Sequence, residues 1–132
     1  MIFERVDWLS CNAREASVMT GASDAIDAAE LLLDRLARGS VIVRCGKDGC
    51  LIARSGNPTE KIEGFPVDAV DSNGAGDTHV GAFAALLKQG RSAIDAARWA
   101  NGAAALSVTR RGPATGPVMH ELEAFIAAQD RS

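Results

Sequence analysis

The apolar positions change their period along the chain, and each change marks an element. Val6, Trp8, Leu9 and Cys11, set around Asp7 and Ser10, predict a short strand ending near Asn12. Ala13 to Met19 reads as a short helix that stops at Thr20-Gly21, where glycine takes the left-handed C-terminal position. Ser23 or Asp24 caps a longer helix. In it Ile26, Ala29, Leu32, Leu33 and Leu36 recur at helical spacing, and Gly39 ends the pattern. Ser40 to Cys45 carries the β-branched run Val41-Ile42-Val43, which predicts a buried strand. Gly46-Lys47-Asp48-Gly49 predicts a tight turn and Cys50-Leu51-Ile52-Ala53 the return strand. After a turn at Ser55-Gly56-Asn57-Pro58, Glu60 to Ile62 reads as a short edge strand.

From Gly76 onward the period is helical. Val80, Phe83, Ala84 and Leu87 form one stripe, which ends at Gly90. Ser92 caps the next helix, with Ile94, Ala97, Ala100, Ala104 and Val108 along one face until Arg111-Gly112-Pro113 stops it. Val118 to Ala128 predicts a terminal helix with Leu122, Phe125 and Ile126 inward. The order is strand, helices, strands, then three helices. It predicts an α/β fold whose last helices cover a sheet, with residues 1–132 as one domain.

Composition narrows the function classes. Hydrophobic residues make up 47% of the chain, ample for a core, while aromatics are only 5% and Tyr is absent. The abundant alanine predicts closely packed helices. With 14 basic and 17 acidic residues, the net charge of -3 removes the broad basic surface of a nucleic-acid binder. It leaves room for a local anion site, because backbone amides supply one without Lys or Arg. No run approaches the roughly 18 apolar residues of a membrane span. The first residues lack the pattern of a secretory signal. Three cysteines, with no Cys/His spacing for zinc, predict reduced thiols in a cytoplasmic setting. Cys45 and Cys50 flank the hairpin as packing residues.

The most informative stretch is Asp71-Ser72-Asn73-Gly74-Ala75-Gly76-Asp77-Thr78, between a β-rich segment and an apolar helix. Gly74, Ala75 and Gly76 let backbone approach a ligand closely. The amides that start the helix favour a phosphate there. Asp77 then sits beside an anion site, where a carboxylate can take a proton from an attacking hydroxyl. The plainer reading is a helix start, with Asn73 or Asp77 as cap and the glycines as a turn. The stretch is neither a Walker loop nor a dinucleotide fingerprint, which weighs against a dinucleotide-dependent oxidoreductase.

This stretch, followed by Gly81-Ala82-Phe83, resembles the C-terminal signature of the PfkB/ribokinase family of carbohydrate kinases. Three further stretches agree in the family's order. They are Asn12-Ala13-Arg14-Glu15 with Thr20-Gly21, then Val43 to Gly49, then Asn101 to Gly112. The resemblance implies a ribokinase-like, Rossmann-like three-layer α/β/α fold. It implies ATP and Mg²⁺ as cofactors, with K⁺ in potassium-activated members, and a sugar or related small alcohol as acceptor.

By the same resemblance, Asp77 matches the catalytic base, and Gly74, Ala75 and Gly76 the anion hole. Asn12 and Glu15 match residues that organise the phosphates and Mg²⁺, often through water. Gly46 and Gly49 match the turn beside the nucleotide, and Asn101 a position near the adenine. Asp71, with carbonyls of Asn73, Ser107, Arg110 and Gly112, resembles the monovalent-cation site. Plainer roles stand beside these. Glu15 suits an ordinary first-turn acid, Asn101 a packing residue, Asp71 a turn cap, and Arg110-Arg111 a basic helix end. His79 stands where many relatives carry Phe, and is expected as a partly buried packing histidine. His120 is expected on the surface.

All the matched motifs belong to the C-terminal half of the family pattern. The first strands of the sheet, the small β lid and much of the sugar pocket have no counterpart among residues 1–132. Two functions follow as expectations. One is ATP-dependent phosphoryl transfer with Asp77 as base. The other is a non-catalytic fragment that binds nucleotide or a partner chain. Exposed strand edges would favour self-association or pairing with an N-terminal half.

Overall fold

A computed structural model describes residues 8–36, 39–67, 74–109 and 119–130. The chain divides into two compact units, Met1–Ile62 and Glu63–Ser132.

The first unit is built on β1 (Trp8–Asn12), α1 (Ala13–Thr20), α2 (Ala25–Arg35), β2 (Ser40–Arg44), β3 (Cys50–Arg54) and β4 (Glu60–Ile62). The four strands form one sheet in the order β1-β2-β3-β4. β1 runs parallel to β2, with Leu9 beside Val41 and Asn12 beside Arg44. A parallel pair needs a long crossover, which α1 and α2 supply. The other two pairings are antiparallel. Strand alternation turns Val41, Val43, Leu51 and Ala53 to one face, where they form a core with Cys11, Ala16, Ala28, Ala29 and Leu32. The alternate residues Ile42, Cys50 and Ile52 are buried as well. The continuous apolar run of β2 is therefore a strand buried on both faces, as expected.

Helix α2 departs from the expected stripe. Its buried residues are Ala28, Ala29 and Leu32, whereas Ile26 is 44% exposed. Alanines on the inner face let the helix axis lie close to the sheet, so the bulky Ile26 falls outside the contact. The helix starts where Asp24 Oδ2 accepts from the Asp27 N–H at 3.0 Å. It stops at Arg35 rather than running to Gly39, with Leu36 already extended. Arg35 Nη1 donates to the Met19 carbonyl at 2.8 Å and ties the helix end to α1. Truncating the fully buried Leu32 would cost about 2–5 kcal/mol by general experience of such core sites.

The second unit holds α3 (Ala75–Lys88), α4 (Ala93–Val108) and α5 (Met119–Asp130). Ser92 caps α4 as expected, its Oγ accepting from the Asp95 N–H at 3.1 Å. Buried residues on α4 include Ala96, Ala97, Ala100, Asn101, Gly102 and Ser107, more than one stripe, so this helix is enclosed on several sides. Leu122 and Ile126 of α5 pack on Ala103, beside Phe65 and Phe125, whose rings meet edge-on at 5.5 Å. A Cβ at Gly102 would stand 3.1 Å from the Ile126 side chain, which is why α5 can lie so near α4. Helix α3 turns His79, Phe83 and Leu86 inward, while Val80 is exposed. Its buried face is thus rotated by about one residue from the expected stripe. Among the described residues, no helix is long and apolar enough to cross a membrane.

Candidate active site

The strand β1 delivers its last residue, Asn12, directly to the start of α1. Asn12 Oδ1 accepts from the Glu15 N–H at 2.8 Å, and Glu15 Oε1 accepts from the Asn12 N–H at 2.9 Å. This reciprocal pair is a capping box, so Asn-x-x-Glu is a folding device whatever else it does. The parallel register places Arg44 beside Asn12. Its Nη2 lies 3.5 Å from Glu15 Oε1, with the Arg44 side chain only 15% exposed and that of Glu15 56% exposed. A guanidinium so sheltered from water holds its partner better than a surface pair does.

A groove of about 580 Å³ opens in this unit, lined by Asn12, Arg14, Arg44, Gly46 and Lys61 together with the exposed Ile26. Gly46 begins the hairpin turn. Gly49 closes it from behind, buried, with φ of 97° and its N–H donating to the Gly46 carbonyl at 3.1 Å. That backbone conformation favours glycine. Of the two glycines, then, only Gly46 lines the groove. The three cysteines are free thiols. Burial, with the nearby Glu15 carboxylate adding to it, pushes the Cys11 thiol up from the ordinary 9.0 to about 11. Burial likewise raises Cys45, with Asp48 adding to the shift. Neither is poised as a nucleophile at neutral pH.

The second cluster lies at the start of α3. Its N-cap is Gly74, in the left-handed region at φ 80°, and glycine has no side chain with which to cap. The first bond of the helix runs from the Thr78 N–H to the Gly74 carbonyl at 2.9 Å. Ala75, Gly76 and Asp77 lie ahead of it, at the positive end of the helix dipole, and Asp77 is exposed there. Asp71 and Asn73 fall outside the described residues, as do Arg110 and Gly112. Of the expected cation set only Ser107 is described. It is buried in α4, and its Oγ donates to the Ala104 carbonyl at 2.8 Å.

Asn101 is 5% exposed, and its amide is engaged at both ends. Oδ1 lies 2.8 Å from His79 Nε2, and Nδ2 donates to the Glu63 carbonyl at 3.0 Å. His79 itself is buried, at 4% exposure, as the packing reading expected. His120 is exposed. The structure therefore brings Asn12, Glu15 and Gly46 together in one unit, and Gly74 to Asp77 into one helical turn in the other. Sequence reasoning missed Lys61 as a groove residue and gave Arg44, inside the matched stretch from Val43 to Gly49, no role of its own. Its contact with Glu15 follows from the parallel register that sets it beside Asn12, which one sequence does not show. Among the described residues, no three His, Cys, Asp or Glu side chains cluster to hold a metal ion directly.

A model of the pfkB carbohydrate kinases matches residues 1–120. The chain belongs to the pfkB family of carbohydrate kinases. The ribokinase of Bacillus subtilis is 34% identical over 125 residues, which cover 94% of this chain and 41% of that protein. Among solved structures, the ribokinase of Thermotoga maritima superposes with a TM-score of 0.87 at 34% identity, over 96% of this chain and 44% of that one. A ribokinase II of Escherichia coli, solved with ATP and Mg²⁺, gives a TM-score of 0.84 at 32% identity, over 96% of this chain and 41% of that one. The α/β fold is therefore ribokinase-like. This pfkB chain spans about two-fifths of the length of the ribokinases of Haemophilus influenzae and Bacillus subtilis.

Proposed function

We propose that this chain carries the ATP-handling end and the catalytic base of a sugar kinase. It moves the γ-phosphoryl group of ATP to a hydroxyl of a sugar or related small alcohol. The observation that carries this reading is the first turn of α3: a glycine N-cap in the left-handed region, followed at once by Ala75, Gly76 and an exposed Asp77. Asp77 accepts the proton of the acceptor hydroxyl as its oxygen attacks phosphorus. The bond to the bridging oxygen breaks and ADP leaves. The amides of Gly74, Ala75 and Gly76 stabilise the charge spread over the transferring oxygens. Such chemistry depends mostly on placement, which a helix start on a packed α3–α4 pair provides.

Glu15 fits a part in holding Mg²⁺ through water. Its Oε1 is engaged by the Asn12 N–H and Arg44, while the carboxylate remains more than half exposed. Bound Mg²⁺ supplies neutralisation of phosphate charge. Arg44 and Lys61 put positive charge in the same groove as Asn12 and Gly46, which suits a polyphosphate. The resemblance to a ribokinase II solved with ATP and Mg²⁺ supports the same nucleotide.

The reading is tested by titration calorimetry with MgATP, then by product detection over a panel of sugars and small alcohols. The expected result is binding and transfer. Asp77→Ala should lower turnover by about 10²–10⁴-fold while MgATP affinity stays within about threefold. Near-normal turnover in that variant sinks the role of Asp77. A second reading is a chain that binds nucleotide without transfer. Binding with no product over the whole panel favours it. No binding by the folded chain overturns both.

A further inference from the structure

We propose that His79 is a positioning residue for Asp77. Its hydrogen bond to Asn101 pins the first turns of α3 against α4, and through Asn101 to the backbone at Glu63. The catalytic consequence rests on the reading of Asp77 as base; the positioning itself rests on geometry alone.

The hydrogen-bond chemistry fixes every atom in this chain of contacts. The Glu63 carbonyl only accepts, so the group that Asn101 presents to it at 3.0 Å is its NH₂. The amide oxygen of Asn101 must then face His79, at 2.8 Å from Nε2. An amide oxygen only accepts, so Nε2 carries the hydrogen and donates. The imidazole is held in one tautomer by an amide whose own orientation is settled by the main chain. Both side chains are almost fully buried. In such surroundings a satisfied hydrogen bond is directional and specifies one arrangement, whereas an apolar contact tolerates sliding.

The place of this bond in the helix gives it a purpose. Helix ends fray, and a capping side chain is the usual restraint. At α3 the cap residue is Gly74, which has no side chain to serve as one. His79 lies two residues beyond Asp77 and restrains the same turns from the side, by a bond to a residue 22 positions away. The bond acts on the flank of the helix, one turn in from its start, and leaves the backbone of the first turn unaltered.

The whole chain, labelled with ¹⁵N, provides the test. Long-range imidazole spectra should show His79 with its hydrogen on Nε2; a hydrogen on Nδ1 alone overturns the proposal. Amide exchange at Thr78, compared with Leu86 further along α3, should speed up by about tenfold in His79→Phe and in Asn101→Leu. His79→Gln keeps an N–H donor and should restore exchange to within about threefold of the parent. Should His79→Phe fail to fold, Asn101→Leu breaks the same bond from the other helix, and the parent tautomer stands as an independent check. Unchanged exchange at Thr78 in the folded variants overturns the proposal. Where transfer is measurable, His79→Phe should lower kcat about tenfold with KM for MgATP within about twofold, and His79→Gln should recover it. A parent chain without any transfer defeats the kinase reading but leaves the tautomer and exchange results to decide the positioning role.

Discussion

Helices α1 and α3 each begin within a stretch that matches the kinase signature, and they begin in opposite ways. At α1, Asn12 and Glu15 cap each other and Glu15 also meets Arg44. At α3 the cap is a glycine, and the acid of the first turn, Asp77, stands exposed. A helix start closed by its own side chains is stable by itself and offers a ligand only what the caps leave over. A start capped by glycine gives up the bond that a cap side chain would make, and its backbone turns through the left-handed region instead. The two acids are equivalent in sequence terms, both in a first turn, yet Glu15 is tied into a cap and an ion pair while Asp77 stands exposed.

The comparison can be broken most sharply at Gly74. Gly74→Val places a β-branched residue at φ 80°, and should lower stability by about 1–2 kcal/mol, read as a fall in denaturant midpoint. A variant as stable as the parent would show that the left-handed cap is not required. The next effect belongs to α1. Asn12→Ala removes one arm of the capping box and should cost about 1 kcal/mol. Glu15→Gln separates folding from ligand binding at the same position. Glutamine can serve in a capping box, so stability should change by less than about 0.5 kcal/mol, while the Mg²⁺-dependent part of ATP binding weakens. Equal loss of both in Glu15→Gln would mean that the acid acts only as a cap.

The smallest effect is read at Cys11, just before the α1 cap. Its thiol is raised above the ordinary value, so the fold favours the neutral form. Stability from this group is therefore complete below pH 9.0 and is lost as pH rises toward about 11. Alkylation of the folded chain should be slow at pH 8 and rise steeply only above the ordinary thiol range. Glu15→Gln should move that rise to lower pH, because the carboxylate contributes to the shift. An unmoved profile would place the Glu15 charge out of reach of Cys11.

Much of this was legible in sequence because it is local. Ser92, Asp24, the β-branched run at Val41 to Val43 and the turn from Gly46 to Gly49 act through neighbours a few residues away. The kinase signature near Gly74 is equally local. What escaped depends on distant partners. His79 was expected to pack, but its partner Asn101 on another helix was not legible. The inner face of α2 uses Ala28 instead of Ile26, because closeness to the sheet matters there more than side-chain size. Arg44 fell within the matched segment from Val43 to Gly49, but its place beside Asn12 and Glu15 comes from strand register. Glu15 was also read as an ordinary first-turn acid, but its reciprocal cap with Asn12, legible in Asn-x-x-Glu before a helix, was not drawn.

Gly102 shows the same tension between local and distant demands within a single residue. Alanine there would make α4 a better helix by about 1 kcal/mol in isolation. The added methyl would press on Ile126 and Leu122 at 3.1 and 3.2 Å. The chain accepts a weaker helix so that two helices can be closer neighbours. A sequence optimised one element at a time would replace this residue first, and would be frustrated at the α4–α5 contact for having done so.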